Sequence, residues 1–564
     1  MKDRETVQWL YHNSRTHLAP MVILIIGNAI FAACGIAFAL ISRQVIDGAV
    51  ASDRQAILIF ALLLLGVILL QLLLNLLCRH LEEIIKARLE MRYKSQLFSK
   101  LLHKDYATVS NYHSGELLNH LTNDVTIIAD GVATIVPSLA SMLTRLLGAF
   151  AVLVAIDPIF ALIFALAGTS IFFIIRLFRG LMKQLHKQVQ ETDGKVRSFM
   201  QESIGNLLVV KIFGVQRQLE NRATGLQQKN YQAKRKRMTA SIFANSGFSF
   251  IFQLGYLYAL VWGAYKLYQQ AISFGTLAAI LQLVGQVQTP FVGLSGLLPK
   301  YYALLASSER VMELERLADE TELNQGLLDT TQLELGFKAI VCANIRFGYD
   351  RDSILEHVTL SINKGDFVVL TGTSGIGKST LLKLLLGVYQ PNEGNIYLQM
   401  NDGSRIKIDR QVRKLFAYVP QGNLLLSGTI KENISFIKPT ASDDEITQAA
   451  QISCADEFIN QLPQGLNTVI GEKGHGLSEG QIQRLAIARA ILSDAPILLL
   501  DEASSALDES TEQRLLSNIK SLQGKTCLIV SHRRAALSIC NQEVCIENKT
   551  ILPREVGMNE GKSS

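Results

Sequence analysis

Fourteen residues, Phe367-Val-Val-Leu-Thr-Gly-Thr-Ser-Gly-Ile-Gly-Lys-Ser-Thr380, carry the strongest indication of the fold. An apolar run typical of a buried strand leads into the pattern G-x-x-x-x-G-K-S and then into a leucine-rich helix. This arrangement is a P-loop, in which backbone N–H groups and the positive end of a helix dipole surround phosphate oxygens. We therefore predict nucleotide binding by Gly372, Thr373, Ser374, Gly375, Ile376, Gly377, Lys378, Ser379 and Thr380. Lys378 is placed for the β- and γ-phosphates, and Ser379 for Mg²⁺.

A second apolar run, Ile497–Leu500, ends in two carboxylates, Asp501 and Glu502. Alone, such a pair is most often part of a turn. Beside a P-loop the two carboxylates suit different roles. We expect Asp501 to hold Mg²⁺, mainly through water, and Glu502 to orient or deprotonate the attacking water.

The composition indicates a membrane protein. Of 564 residues only 18% are charged, against roughly 25% in soluble domains. A membrane-spanning helix needs about 20 mainly apolar residues. Six segments without an acidic residue meet this requirement, at about 19–42, 56–77, 132–156, 158–178, 241–265 and 272–296. The seven cysteines are too few for a disulfide scaffold, and a net charge of +6 gives no reason to expect a nucleic-acid partner.

The basic residues predict the orientation, because cytoplasmic loops are enriched in Lys and Arg. The loop after the second span and the stretch from Arg176 to Arg237 at the end of and after the fourth span hold 21 basic residues, whereas the three alternate loops hold three. We therefore expect a multi-pass protein of the cytoplasmic membrane, with both termini and the P-loop domain in the cytoplasm. The two long loops continue the helical spacing of apolar residues, so the spans are expected to extend beyond the bilayer. Turn signals at 113–116 and 205–206 mark two places for transverse segments that contact the P-loop domain.

The run Gly476-Leu-Ser-Glu-Gly-Gln-Ile-Gln-Arg-Leu-Ala-Ile-Ala-Arg-Ala490 resembles the signature of ABC-transporter ATPases. Six spans followed by one such ATPase resemble the bacterial ABC exporter half-transporters over residues 10–550. The fold class implied is a polytopic α-helical membrane domain of six transmembrane helices plus an α/β P-loop ATPase domain of ABC type. Four parts are expected: a transmembrane domain over 1–315, a linker over 316–332, the ATPase domain over 333–555 and a polar tail over 556–564.

The resemblance also implies roles for single residues. Tyr349 is placed like the aromatic that stacks on adenine, and Gln421 like the residue that senses Mg²⁺ and contacts the membrane domain. His532 resembles the switch histidine at the γ-phosphate, and Asp508 belongs to the segment Ser505-Ala-Leu-Asp508, which resembles the D-loop. The predicted catalytic residues are Glu502, His532 and Lys378, and the predicted Mg²⁺ ligands are Ser379, Gln421 and Asp501. The segments 471–474 and 114–116, with Asn123-Asp124, resemble regions through which exporters couple their two domains.

In the family, the signature faces the P-loop of a second ATPase domain. Ser478, Gly480 and Gln481 would then complete the γ-phosphate cage of a partner. One P-loop and one signature per chain imply a dimer, and a homodimer is its simplest form, although a heterodimer stays open. The third position of the signature is more often Gly in the family, whereas this chain has Glu479 there. We therefore expect the Glu479 carboxylate to point away from the nucleotide. About 18 residues precede the first span, so we expect no leader-peptidase domain.

The substrate is less well indicated. Arg145 is the only charged residue near the middle of a span, and either a substrate-binding or a structural role is open. Polar residues that could line a wet cavity, or hydrogen-bond between helices, are Asn245, Gln253, Tyr256, Gln282, Gln286 and Gln288. We expect ATP-driven export of a peptide or amphipathic small molecule. A lipid flippase, or an ATP-gated channel of the same fold, is the alternative.

Overall fold

A computed structural model describes residues 2–320, 330–349, 352–422, 425–471, 474 and 476–554. The chain divides into two compact units. The first comprises Met1–Ser99 and Ser114–Glu315, and the second comprises Lys100–His113 and Arg316–Ser564. Most of the predicted linker, the predicted tail and the middle of the 471–474 segment lie outside the described residues.

The first unit is built from long helices. They are α1 (Lys2–Ser14), α2 (Leu18–Val50), α3 (Arg54–Leu102, whose last turn belongs to the second unit), α5 (Ser114–Asn119), α6 (Val125–Ile156), α7 (Pro158–Gly205), α8 (Leu207–Ile212), α9 (Gln216–Tyr268) and α10 (Phe274–Glu315). The short helix α4 (Tyr106–Val109) lies in the second unit, and a π-helical turn joins α5 to α6. Because α3, α7 and α9 have 49, 48 and 53 residues, each is much longer than a bilayer requires.

Five helices among the described residues are long and apolar enough to cross a membrane, and they contain five of the six predicted spans. The remaining span, 158–178, lies on α7, where many side chains are outside the described set. Asp157 begins α7 because its carboxylate accepts hydrogen bonds from the N–H groups of Ile159 and Phe160, each 2.9 Å long. The prediction that the spans extend as helices beyond the bilayer agrees with the lengths of α3, α7 and α9.

A buried apolar cluster holds α2, α6, α7, α9 and α10 together and includes Leu153, Phe160, Ala259 and Leu283. Helices α2 and α6 approach closely at Gly148, where an added Cβ would lie 2.4 Å from Ile36 Cδ1. Gln288 Nε2 donates a 2.9 Å hydrogen bond to the Phe252 carbonyl, so this glutamine joins α10 to α9. Gln253, Tyr256 and Gln282 are exposed within the monomer and Gln286 is partly exposed, and the Asn245 side chain lies outside the described part.

The second unit contains a four-stranded sheet of order β2-β1-β4-β5 and a six-stranded sheet of order β12-β11-β3-β10-β9-β6. The strands are β1 (Phe337–Tyr349), β2 (Asp352–Asn363), β3 (Phe367–Thr371), β4 (Glu393–Met400), β5 (Arg405–Lys407), β6 (Phe416–Val419), β7 (Gly428–Thr429), β8 (Val469–Ile470), β9 (Ile497–Asp501), β10 (Thr526–Val530), β11 (Gln542–Glu547) and β12 (Thr550–Arg554). The helices are α11 (Thr330–Gly336), α12 (Lys378–Leu385), α13 (Ile430–Ile434), α14 (Asp443–Ile452), α15 (Asp456–Ile459), α16 (Glu479–Leu492), α17 (Glu509–Ser521) and α18 (Arg534–Ile539).

Strands β11, β3, β10, β9 and β6 are parallel, and β12 is antiparallel to β11. Strands β3 and β9 are fully buried, which explains their continuous apolar sequences. Because parallel strands end at the same edge of a sheet, the residues that follow β3, β10, β9 and β6 come together there. This edge positions the candidate site.

The segment Lys100–His113 is bound to the residues that follow α10. The Asp105 N–H donates to the Ala318 carbonyl at 2.9 Å, and the Glu320 N–H donates to the His103 carbonyl at 3.0 Å. Lys104, which is buried, adds an ion pair with Asp319 at 2.8 Å. These bonds fix α4 within the second unit.

Candidate active site

The loop between β3 and α12 has the backbone that its glycines predict. Gly372, Gly375 and Gly377 have φ values of 141°, 81° and 111°, which residues with a Cβ rarely adopt. At Gly377 an added Cβ would also lie 2.7 Å from Ile354 Cγ2. The loop therefore needs glycine at this position for two independent reasons, conformation and space.

Lys378 is the first residue of α12 and is only 6% exposed. Its ammonium donates to the carbonyls of Gly372 at 2.6 Å and Thr373 at 3.2 Å, so it closes the loop upon itself. His532 Nε2 lies 3.3 Å from the same nitrogen. The structure thus brings Lys378, at the end of the loop after β3, into contact with His532, in the loop after β10, as expected for adjacent parallel strands.

Asp501, at the end of β9, is 1% exposed. Its Oδ2 accepts a hydrogen bond from the Tyr418 hydroxyl at 3.2 Å, and its Oδ1 has no hydrogen-bond partner among the described residues. Burial raises the pKa of the Asp501 carboxyl, while the nearby hydroxyls of Ser379 and Tyr418 oppose the rise. A buried carboxylate oxygen without a partner, next to a serine hydroxyl, fits a hard divalent cation such as Mg²⁺.

Glu502 follows directly and has a φ of 50°, in the left-handed region that few non-glycine residues occupy. Its N–H donates to the Val530 carbonyl at 3.1 Å, which fixes this unusual backbone against β10. Its Oε2 accepts a 2.7 Å hydrogen bond from Gln421 Nε2. The backbone turn and the amide together aim the carboxylate, which is the arrangement that a water-orienting base needs.

Asp508 caps the N-terminus of α17, with a 2.9 Å hydrogen bond from the Thr511 N–H and a 2.6 Å bond from the Ser510 hydroxyl. These bonds hold the pKa of the Asp508 carboxyl well below its ordinary value. The residue after His532, Arg533, donates to the carbonyls of Ser505 and Leu507. The segment 505–508 is therefore held at both ends.

Arg533 also forms an ion pair of 3.0 Å with Glu512, a carboxylate that is 1% exposed. The other oxygen of Glu512 accepts a 2.6 Å hydrogen bond from the Ser504 hydroxyl. A buried carboxylate is costly without such partners. This network, absent from the sequence-based prediction, connects the loop after β10 to the loop after β9.

The signature begins helix α16. Ser478 is its N-cap and forms a capping box with Gln481, in which the Gln481 N–H donates to the Ser478 hydroxyl at 3.3 Å and the Ser478 N–H donates to Gln481 Oε1 at 2.8 Å. Glu479 is exposed in the first turn, where a negative charge is favoured by the helix dipole. Gly480 lies close to the segment 505–508, since an added Cβ would be 3.0 Å from the Ala506 carbonyl oxygen.

Gln483 connects the signature helix to that same segment. Its Nε2 donates to the Ser505 hydroxyl at 3.1 Å, and its Oε1 accepts from the Ala506 N–H at 3.1 Å. Among the described residues, no hydrogen bond joins the signature to the P-loop. The signature is thus connected to the loop after β9 and not to the phosphate-binding loop of its own chain.

Tyr349 ends β1 and is 41% exposed. Its ring packs edge-on against Phe347 at 5.1 Å and Tyr389 at 5.5 Å between centroids, and its hydroxyl lies 3.4 Å from the Thr380 hydroxyl. Tyr106 on α4 also packs edge-on against Tyr389, with 6.0 Å between ring centroids. Tyr349 therefore presents an accessible ring beside the P-loop, and aromatic contacts extend from it to α4.

Sequence reasoning missed several residues of this site. No role was predicted for Tyr418, Glu512, Arg533, Gln483 or Tyr389, and the fold brings them to the predicted residues. The one available signal was proximity in sequence: Arg533 follows His532, and Gln483 lies two residues after Gln481 in the signature run.

Comparison with known proteins agrees with this geometry. The family model for the ABC transporter transmembrane region matches residues 21–291, and the ABC transporter model matches residues 355–505. The chain is 30% identical over 475 residues to a "Putative multidrug export ATP-binding/permease protein" of Staphylococcus aureus (strain NCTC 8325 / PS 47), covering 81% of this chain and 79% of that protein. The chain belongs to the ABC transporter family.

Two further similarities concern the whole ABC transporter chain. It is 28% identical over 478 residues to an uncharacterized ABC transporter ATP-binding protein of Bacillus subtilis (strain 168), with 82% of this chain and 76% of that protein covered. Its fold matches the structure of a bacterial Atm1-family ABC exporter with ATP bound, with a TM-score of 0.82, 23% identity and coverage of 95% and 94%. The chain is thus an ABC transporter with the fold of an ABC exporter, and its ATPase domain is of the kind that is coupled to transport.

Proposed function

We propose that this ABC exporter is a homodimer of the cytoplasmic membrane that uses ATP hydrolysis to export a peptide or an amphipathic small molecule. The observation that carries the proposal is the convergence of Lys378, His532, Asp501, Glu502 and Gln421 at one edge of the six-stranded sheet. The same chain carries long apolar helices, so a hydrolytic site and a membrane path are parts of one polypeptide.

Each residue at the sheet edge has a role that its contacts support. The ammonium of Lys378 lies within the loop and would transfer its hydrogen bonds from the Gly372 and Thr373 carbonyls to phosphate oxygens. Glu502, oriented by Gln421, would hold the attacking water and take its proton. His532, beside Lys378, would donate a hydrogen bond to the γ-phosphate. Tyr349 would stack on the adenine.

Ser379, Asp501 and Gln421 would hold Mg²⁺, which when bound neutralises developing charge on the phosphates. The unpartnered Oδ1 of buried Asp501 supports this assignment. Asp501 is expected to contribute mainly through water, because Mg²⁺ keeps several waters of its own.

The position of the signature supports a dimer. Ser478 and Gln481 are bonded to each other and to the start of α16, where the positive end of the helix dipole favours a phosphate. In a homodimer this helix end would face the P-loop of the second copy and complete its γ-phosphate cage. When the signature contacts the γ-phosphate, the hydrogen bonds between Gln483 and the residues Ser505 and Ala506 would transmit that contact to the loop after Glu502.

Export requires that ATP binds the closed dimer much more tightly than the open one. Helix α4 is fixed to the ATPase unit by Lys104 and Asp105, and α8 forms a second short helix between α7 and α9. These two segments would transmit closure to the long helices, with both termini and the ATPase on the cytoplasmic side. The multidrug export named for the Staphylococcus aureus relative supports an amphipathic small molecule as one substrate class.

The test is ATPase stimulation of the purified protein in liposomes by peptides, amphipathic dyes and lipids. Stimulation by peptides or dyes is the expected result. A flat response to both, with stimulation by lipids, would replace the proposal by a lipid flippase. A channel is tested with Glu502→Gln, which should stop an exporter but prolong the open state of an ATP-gated channel.

A further inference from the structure

Arg145 on α6 has a guanidinium with no counter-ion among the residues that the structure describes. Its Nε is fully enclosed and has no hydrogen-bond partner among the described residues. The guanidinium carbon lies 5.7 Å from the centroid of the Phe31 ring on α2. A cation–π contact stabilises the cation but leaves its N–H donors unpaired.

The position of Arg145 is deep in the predicted span 132–156. It lies 13 residues from one end and 11 from the other, or about 20 and 17 Å along the helix. An arginine side chain that snorkels extends only some 6 Å, so lipid phosphates at either surface are out of reach.

Acidic residues are also too far away. Asp130 and Asp157 flank the span at about 22 and 18 Å along the helix. Both are already paired, Asp130 with Lys86 and Lys300 and Asp157 with Lys266. None of the six predicted spans contains Asp or Glu, and this holds equally for the spans of a second copy. A homodimer therefore cannot supply a carboxylate at this depth.

Helix α2 carries the aromatic ring beside Arg145 and contacts a polar side chain one helical turn further along. One helical turn from Phe31, the carboxamide of Gln286 on α10 lies next to Gly35, 3.0 Å from where a Cβ would be. Gln282, four residues earlier on the same face of α10, is exposed in the monomer. Cation, aromatic ring and carboxamide thus lie along one stretch of α2.

We infer that Arg145 binds an acidic group of the transported molecule, so that the substrate is an amphipathic anion, with a carboxylate on an apolar body. The inference rests on the proposed export function and adds the charge of its substrate. The carboxylate pairs with the guanidinium, the apolar body packs on Phe31 and neighbouring aliphatic side chains, and Gln286 is placed to hydrogen-bond a polar group one turn away. Arg145 provides selectivity for the anion, because a neutral analogue leaves its donors unpaired.

The experiment measures binding of three fluorescent probes that share one tail: 11-(dansylamino)undecanoic acid, its primary amide, and the matching amine. The full-length protein is held without ATP in nanodiscs of phosphatidylcholine. This lipid is zwitterionic, so no headgroup of net negative charge competes with the acid probe. We expect the acid to bind the wild type at least about tenfold more tightly than the amide, as for a charged hydrogen bond. Arg145→Gln should reduce the ratio to within about twofold, and Arg145→Lys should retain a preference for the acid.

Charge reversal provides a second variant. Arg145→Glu should make the amine the preferred probe, which no general loss of packing would cause. The control is Lys266→Gln, which removes a cation that pairs with Asp157 at 3.4 Å near the end of a span and should keep the acid preference. Size-exclusion chromatography verifies that each variant is a folded particle.

The inference is overturned if acid and amide bind the wild type equally, or if the preference for the acid survives Arg145→Gln. Because binding is measured without ATP, the result does not depend on hydrolysis. If the acid preference is present and depends on Arg145 while ATP-driven transport fails, the error lies in the proposed function and not in this site.

Discussion

Gln421 Nε2 donates a 2.7 Å hydrogen bond to Glu502 Oε2. The two residues follow adjacent strands, β6 and β9, although 81 positions separate them in sequence. One oxygen of the Glu502 carboxylate is thereby occupied, and the other stays available for a water molecule. A change in the position of the Gln421 loop would consequently change the aim of the base.

Glu502→Gln tests the role of that base. The variant keeps the shape of the side chain but cannot accept a proton, so we expect ATP turnover to fall by about 10² to 10⁴-fold. ATP binding should persist, since the P-loop is intact. Turnover in liposomes and binding of a fluorescent ATP analogue measure the two effects. Glu334→Gln, an exposed change on α11, is the control and should hydrolyse normally. Turnover above a tenth of wild type in Glu502→Gln would remove Glu502 from this role.

Two glycine-to-alanine substitutions test whether the P-loop backbone needs glycine for its conformation and for space. Gly377→Ala would combine a φ of 111° with a Cβ 2.7 Å from Ile354 Cγ2. Gly375→Ala also has a positive φ, 81°, but meets no atom within 4 Å. Both should lose about 1–2 kcal/mol to the backbone, and Gly377→Ala should lose more through the collision. We expect thermal unfolding and ATP affinity to rank wild type above Gly375→Ala above Gly377→Ala; equal losses would show that space at Gly377 is not limiting.

Asp501 predicts a pH dependence. Its pKa is raised in the folded state by burial, so the folded protein binds this proton more tightly than the unfolded one. The stabilising contribution of protonated Asp501 is therefore complete below the unfolded pKa near 4 and is lost as pH rises through the folded pKa. Asp501→Asn should accordingly raise the nucleotide-free melting temperature at pH 7.5, with a smaller gain near pH 5.

The same variant should abolish the extra stabilisation that Mg²⁺ adds to ATP, because the unpartnered carboxylate oxygen is gone. Differential scanning fluorimetry with ATP, with and without Mg²⁺, measures this loss. A melting temperature that falls at pH 7.5 without nucleotide would contradict the view that buried Asp501 is kept for cation binding at a cost in stability.

Arg533 is predicted to support both stability and turnover. Arg533→Ala leaves the buried carboxylate of Glu512 with the Ser504 hydroxyl as its remaining described partner, and it frees the carbonyls of Ser505 and Leu507. Since Arg533 is 39% exposed, we expect a loss of about 1–3 kcal/mol, below that of a fully buried pair. ATP turnover should fall with it.

A double variant separates the two effects. Glu512→Gln added to Arg533→Ala removes the unpaired charge and should restore part of the stability but not the turnover. Arg534→Ala, an exposed change at the next residue, should leave both unchanged. Full recovery of turnover in the double variant would show that Arg533 acts only through the charge of Glu512.

The sequence predicted the elements that depend on local pattern. Continuous apolar runs such as 56–77 predicted spans because a bilayer requires a fixed length, and the P-loop was predicted because its glycines have conformational requirements of their own. Contacts across the sheet were beyond prediction. Tyr418 bonds to Asp501 because β6 lies beside β9, and Tyr389 contacts Tyr106 because the segment Lys100–His113 belongs to the ATPase unit. No periodicity encodes either neighbour.

ATP-dependent accumulation in inverted membrane vesicles tests the central claim most directly, because the ATPase units then face the medium. Vesicles with the wild type or with Glu502→Gln receive ATP and a panel of fluorescent amphipathic acids, dyes and peptides. The account predicts that at least one compound accumulates with wild type and ATP, and that it does not accumulate with Glu502→Gln. Equal accumulation in the two preparations, or none of any compound with the wild type, would contradict it.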